Sequence, residues 1–356
     1  MLASVLLFVV MLCAGVLIRT PYAEMSPGPT VNTLGEHNGD PVISISGRRT
    51  YPTSGHLNMT TVRVTGAEYR MTLPEAIYGW LSHDDAVVPH DILYPEGKSA
   101  DEVNQQNAEE FSASQESAKV AALKALDIPT ASRVIVASVV KGGPAEGKLR
   151  AGDVIVAVDG RDVTDPADVA KLVTKHRPGE PVEFTVVPEG RKGDRAKDGG
   201  AQAAAEEKVT IRTTEASEDG RAIVGIQAGL RHDFPFRIDI KLADVGGPSA
   251  GLMFALGIVD KLTPEDLTGG AFVAGTGTID YEGRVGPIGG IRMKTIAARN
   301  KGAEFFLTPA DNCATAAADT PDGLTLVKVT SLDDALKALE KIRGGDTASL
   351  PRCEAD

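Results

Sequence analysis

The chain has 356 residues, enough for two or three domains, and 42% of them are hydrophobic, enough for a substantial core. Only 4% are aromatic, so that core must be built from Ala, Val, Leu and Ile. A formal net charge of −12, with no Lys/Arg cluster, leaves no basic surplus to set against phosphates and argues against a nucleic-acid partner.

Residues 2–18 form a run of 17 without a charged side chain. As a helix it spans about 25 Å, within the range of segments that cross a hydrocarbon core. A cleaved signal peptide is the alternative, but the apolar stretch is long for one and no A-x-A site follows it. No Lys or Arg precedes the run, so charge gives no orientation. The expectation is a single-pass anchor over residues 1–18, with the soluble part outside the cytoplasm at the cell membrane. Cys13 lies in that run. Cys313 and Cys353 can pair in an oxidising compartment and tie down the tail, residues 346–356, or remain two thiols, and their spacing does not decide.

The segment PYAEMSPGPTVNTLG reads as part of a Pro/Gly-rich linker over residues 19–40. Strand patterns follow at residues 41–46 and 57–64. Thr72-x-x-Glu75 is a capping box that opens a short helix through Trp80. A longer helix is expected over residues 108–126, with Val120, Leu123 and Leu126 at helical spacing.

From Arg133 the pattern changes. VIVASVV and VIVAV read as strands, with Asp159-Gly160 as a hairpin turn between the second and its successor. DPADVAKLVTKH reads as a helix with Asp165 as cap and Pro166 in its first turn. EPVEFTVV and KVTIRTT are two more strands, joined by GRKGDRAKDGGAQAAAEE, a low-complexity hairpin tip. The last block opens near Ser217, with strands at residues 222–228 and 236–242. An apolar helix, SAGLMFALGIVDKL, comes next, then a strand-turn-strand, a helix at 291–300, a strand at 304–307 and a final helix at 332–342. Strands and helices mixed in this way predict an α+β fold.

Gly247-Pro248-Ser249-Ala250-Gly251 matches G-x-S-x-G, a nucleophile turn, although a serine before a helix is also a common cap. All six histidines precede Ser249, and the α/β-hydrolase order needs one after it. His232, beside Asp233, would be a cramped partner from upstream. Lysine is the standing alternative base. Lys294 shares a helix face with Ile291 and Ala298, apolar neighbours that would desolvate the amine and lower its pKa. A surface lysine that merely extends to water is the plainer reading of any single Lys. The helix after Ser249 is apolar on nearly all sides, hence buried, and its N-terminus offers unpaired N–H groups to an oxyanion. Gly142-x-x-x-x-Gly147-Lys148 approaches a phosphate loop but continues with Leu149, so the hydroxyl that binds Mg²⁺ is missing. No metal site is visible. The groups His83-Asp84-Asp85 and Arg231-His232-Asp233 are isolated, and no cofactor is expected.

DVGGPSAGLMFALGIVDKL followed by AGTGTIDYEGRVGPIGGIRMK resembles the proteolytic domain of Lon-type proteases. The resemblance implies Ser249 and Lys294 as a catalytic dyad and matches the family's threonine to Thr276, expected to orient the lysine by a hydrogen bond. Where many members have Asp-Gly before the Pro-Ser, this chain has Gly246-Gly247, which puts any gating aspartate in doubt. YPTSGHLNMTTV and SQESAKVAALKAL resemble the early strands and first helix of the same domain, more weakly. GGPAEGKLRAGDVIVAVDGRDV is similar to bacterial PDZ domains, which bind extended peptides, often C-termini, by strand addition. That similarity places a peptide groove along Val134 and Val136, between the strand near 133–139 and the helix at 165–176, with a carboxylate loop near Leu126 and Ile128.

The arrangement is similar to the PDZ-containing Lon-like proteases of bacteria. It implies a protease domain in two parts, residues 41–125 and 217–345, interrupted by a PDZ-like β-sandwich or barrel at 126–216. It further implies an ATP-independent serine endopeptidase acting on polypeptides, with Gly247 and Ala250 supplying oxyanion N–H groups, and a homo-oligomeric ring such as a hexamer. The alternative is an inactive scaffold whose PDZ module binds peptides.

Overall fold

The computed structural model describes residues 15, 18–82, 84–95, 97–189, 205–217, 219–242 and 245–354. All of the expected anchor except residues 15 and 18 lies outside the described residues, as do the tip of the low-complexity hairpin and His83. Among the described residues no helix is long and apolar enough to cross a membrane. The chain divides into two compact units, one made of residues 1–129 and 236–356, the other of residues 130–235.

The first unit is built on a six-stranded mixed sheet in the order Thr325–Val329, Phe305–Pro309, Phe272–Gly275, His56–Val64, Tyr22–Asn32, Ala86–Pro89. The first four strands run parallel, and the last two pair antiparallel. Tyr22–Asn32 corrects the expectation of a linker at 19–40. Proline and glycine normally end a strand, but here the pairing shifts register between Pro27 and Thr30, so the strand carries Pro27, Gly28 and Pro29 through an irregularity.

Three helices position the chemistry of this unit. Gly251–Leu262 is buried from Gly251 to Asp260, as its all-apolar sequence requires. Ile291–Lys301 packs on the strands Tyr22–Asn32 and His56–Val64. Ala100–Ala125 packs on Gly251–Leu262, with Phe111 meeting Phe254 edge-on at 5.8 Å. This last helix starts eight residues before the expected 108, because Ser99 and Glu102 form a capping box. The Thr72–Glu75 box opens Leu73–Leu81, where Glu75 Oε2 accepts from Thr72 N at 2.7 Å. Cys313 and Cys353 are joined by a disulfide that closes a 40-residue separation, and Cys353 N donates to Leu326 O.

The second unit is a sheet in the order Glu207–Arg212, Pro181–Val187, Val154–Val158, Ala131–Val139, Ile226–Asp233, with the helix Pro166–Val173. Its core holds Val134, Val136, Ile155, Val158, Val182, Phe184 and Ile211. Asp165 caps the helix through Ala167 N, and Asp159 and Gly160 both have positive φ, as a two-residue hairpin turn requires. The junction expected at 216/217 falls instead at Phe236. The strand Ile226–Asp233 pairs antiparallel with Ala131–Val139 along its length, with one register shift between Gln227 and Ala228, and so belongs to this unit, not to the block that carries Ser249.

Candidate active site

Ser249 lies in the turn before Gly251–Leu262, half-buried. It does not cap that helix: Ala250 is the N-cap residue and no side-chain cap bond is made. The turn is held from the long helix by two bonds. Gly247 N donates to Asn107 O at 3.0 Å, and Ser114 Oγ donates to Pro248 O at 2.9 Å. Gly251 must be glycine for this approach, since a Cβ there would meet Ser114 Oγ and Ile279 Cγ2 at 2.8 Å. Neither Asn107 nor Ser114 was singled out from the sequence. The only signal was the small-residue face of that helix, SASQESAKVAA.

Thr276 follows the strand Phe272–Gly275 and is fully buried. Its hydroxyl donates to Ser249 O at 3.0 Å, while Gly277 N donates to the same oxygen at 2.9 Å. Lys294 Nζ in turn donates to Thr276 Oγ1 at 3.0 Å. The amine therefore sits two hydrogen bonds from the Ser249 backbone.

Lys294 is 2% exposed, which excludes the surface reading. It projects from the first turn of Ile291–Lys301, which begins at Gly290. A φ of 68° there and the nearness of Val62 and Met25 both select glycine. Burial pushes the Lys294 amine down from 10.5 to about 7. No carboxylate contributes to that shift, so the amine is held near neutrality by desolvation alone.

A cavity of about 340 Å³ opens on Ser249 and is lined by Pro29, Met59, Val62, Arg63 and Val245 among others. The strand His56–Val64 runs parallel to Phe272–Gly275, so its Met59–Arg63 end and Thr276 lie at the same, carboxyl, edge of the parallel strands. Ligand sites of open sheets favour that edge. The pocket residues carry no motif and could not be chosen from sequence.

Two expectations need correction. Gly247 N–H is engaged by Asn107 O and is not free for an oxyanion, whereas Ala250 stands at the start of the buried helix. The four residues expected to line a peptide groove are divided between the two units. Val134 and Val136 are core residues of a strand flanked by neighbours on both sides, while Leu126 and Ile128 belong to the end of the long helix in the other unit, with Ile128 N bonded to Leu123 O. The strand at the end of that sheet is Ile226–Asp233, and Pro166–Val173 packs against it. His232 lies on this strand, in the unit that does not contain Ser249. In the loop that resembled a phosphate cradle, Gly142 N is taken by the Glu146 carboxylate at 2.8 Å.

Two stretches of the chain have known counterparts. Residues 243–341 match the model of the Lon protease (S16) C-terminal proteolytic domain, and residues 105–195 match that of the PDZ domain. The chain thus joins a stretch of the PDZ type to a stretch of the Lon proteolytic-domain type. It is 34% identical over 137 residues to the Lon protease of Azospirillum brasilense, covering 36% of this chain and 16% of that one. It is 32% identical over 121 residues to Lon protease 1 of Bacillus subtilis (strain 168), covering 31% and 15%. The chain therefore spans about one sixth of the length of these relatives. The PDZ domain of an SdrC-like protein from Listeria innocua aligns at 23% identity with a TM-score of 0.21, covering 26% of this chain and 90% of that one.

Proposed function

We propose that the chain is a serine endopeptidase whose nucleophile is Ser249 and whose general base is Lys294. The observation that carries this is a buried lysine with a pKa of about 7, joined through Thr276 to the serine's own backbone. Neutral Lys294 takes the Ser249 Oγ proton as Oγ attacks a peptide carbonyl carbon. The oxyanion is held by backbone N–H at Ala250, at the positive end of the helix. The lysine returns its proton to the leaving amine, giving an acyl-enzyme. Water, deprotonated by the same amine, then releases the acid. No step consumes a nucleotide, so hydrolysis proceeds without ATP.

In the PDZ unit the reading is peptide capture by strand addition along Ile226–Asp233. Ile226, Ala228 and Leu230 alternate on one face, half-buried, and Leu172 of the neighbouring helix packs on the same core. An inactive peptide-binding scaffold remains the second reading, favoured by this edge alone. The soluble domains are assigned to the outside of a membrane through the apolar run at 2–18, consistent with the Cys313–Cys353 bridge.

The test is hydrolysis of an unfolded polypeptide by the full chain, with and without ATP, beside Ser249→Ala and Lys294→Ala. Loss of activity in both variants and indifference to ATP are expected. Activity that persists in either variant ends the dyad, and binding without hydrolysis in the wild type selects the scaffold.

A further inference from the structure

Large apolar side chains exposed to solvent are not scattered over this protein. Among the described residues nine are exposed, and all except Val140 fall between Ile18 and Ile92. Their centre is the short helix Leu73–Leu81. Ile77 is 45% exposed, Tyr78 73%, Trp80 54% and Leu81 82%. At 100° per residue these four occupy an arc of about 160°. No charged residue falls within it. Ala76 and Gly79 face inward, and Gly79 lies against Val87 of the edge strand Ala86–Pro89. An outward face this apolar is unusual on a soluble helix, where exposed residues are mostly charged.

The position of this helix says what covers the face. Leu73 N donates to Ile18 O at 3.1 Å, Thr20 N donates to Met71 O at 2.8 Å, and Arg19 bridges to Thr72. Ile18 is the last residue of the 17-residue uncharged run. The helix is therefore pinned, by its first residue, to the point where that run ends. Tyr22 then meets Trp80 edge-on at 5.2 Å. Trp and Tyr are the residues that settle at the level of lipid headgroups, and Arg19 follows the run where a basic anchor would sit.

We propose that the face of Leu73–Leu81 carrying Ile77, Tyr78, Trp80 and Leu81 lies in the headgroup layer of a phospholipid bilayer. It acts as an interfacial helix beside the anchor and fixes the orientation of the proteolytic unit on the membrane. This goes beyond the anchor reading and rests on it for the position of the bilayer. The run alone would tether the protein, whereas the helix would set how it stands.

Trp80 is the only tryptophan in the chain, so its fluorescence reports this face without labelling. The full chain is reconstituted into phosphatidylcholine vesicles, with and without lipid brominated near the headgroup end of the acyl chain. Co-sedimentation with the vesicles reads the anchor; Trp80 emission reads the helix. The expected result is a blue-shifted Trp80 emission, quenched several-fold more by the brominated lipid than by the plain one. Replacing Tyr78 and Leu81 together by Ser should reverse most of the quenching while co-sedimentation persists. Co-sedimentation with unquenched, water-like Trp80 emission overturns this proposal and leaves the anchor standing. Absence of both overturns both. Blue-shifted emission that the brominated lipid does not quench overturns it in favour of contact with protein, a second copy included.

Discussion

Lys294 Nζ and Ser249 O share one hydroxyl: Thr276 Oγ1 accepts from the first and donates to the second, each over 3.0 Å. A threonine in this position spends its only proton on the serine backbone and its lone pair on the lysine. The amine keeps its own lone pair for another proton. Because the lysine is poised near pH 7 by burial, activity should follow its ionisation. Below about pH 7 the rate constant kcat/KM is expected to rise tenfold per pH unit, then level off above it. A profile without an inflection between pH 6 and 8 would remove Lys294 as the titrating base.

Replacing Thr276 by Val keeps the shape and removes both hydrogen bonds. Thr276 is a positioning residue, so kcat should fall by about 10- to 100-fold with KM little changed, as for misplaced catalytic groups generally. The valine also deepens the apolar surroundings of the amine, so the inflection should move to lower pH. Thr276→Ser should restore much of the rate. A loss in which the pH profile does not move, and which serine does not rescue, would point to a packing role alone.

The parts of this arrangement that could be read in advance share a local cause. The turn at Gly247–Gly251, the apolar helix after it, the capping box at Thr72–Glu75 and the turn at Asp159-Gly160 each state their requirement within a few residues. What escaped depended on partners far away in the chain. Tyr22–Asn32 looked like a linker because Pro27, Gly28 and Pro29 are strand breakers, and only pairing with residues 58–64 shows how they are absorbed. The unit to which Ile226–Asp233 belongs is not legible locally, because its partner strand lies about ninety residues earlier. The bond from Ser114 to Pro248 spans 134 residues, and no pattern marks it.

The depressed lysine also makes a statement about stability. Its folded value of about 7 lies below the ordinary 10.5, so between these pH values the folded state binds fewer protons than the unfolded one. Stability from this group is complete above 10.5 and is lost as pH falls to 7, at up to about 1.4 kcal/mol per unit. Lys294→Met should abolish hydrolysis yet raise stability at pH 6, by a few kcal/mol in order of magnitude. Denaturant unfolding of both proteins at pH 6 and pH 9 measures this. Equal or lower stability of the Met variant at pH 6 would mean that the amine is not charged at a cost there.

The Cys313–Cys353 bridge straps the tail to the strand Thr325–Val329, with Cys353 N on Leu326 O and Lys328 N on Pro351 O. Closing a loop of this length restricts the unfolded chain by about 4 kcal/mol in the chain-entropy model. Cys353→Ser is expected to lower the unfolding midpoint, and a reducing agent should do the same to the wild type but not to the variant. A wild type insensitive to reduction would show that the bridge is not formed in solution.

Asp260 provides the opposite pH signature, at the far end of the buried serine helix. It is 1% exposed; Oδ1 accepts from Leu267 N at 2.7 Å, and Oδ2 is buried with no partner among the described residues. Burial raises its carboxyl from 3.8 to about 6. The folded state therefore holds a proton that the unfolded state has released between those values. The stability this provides is complete below pH 3.8 and is lost as pH climbs through about 6, a change on the order of 3 kcal/mol. Asp260→Asn removes the titration and keeps an oxygen for Leu267 N. The difference in stability between variant and wild type should thus move in the variant's favour from pH 4 to pH 8. Thermal unfolding at the two pH values measures that difference. Parallel behaviour of the two proteins would mean that Asp260 titrates in the folded state as it does in the unfolded one.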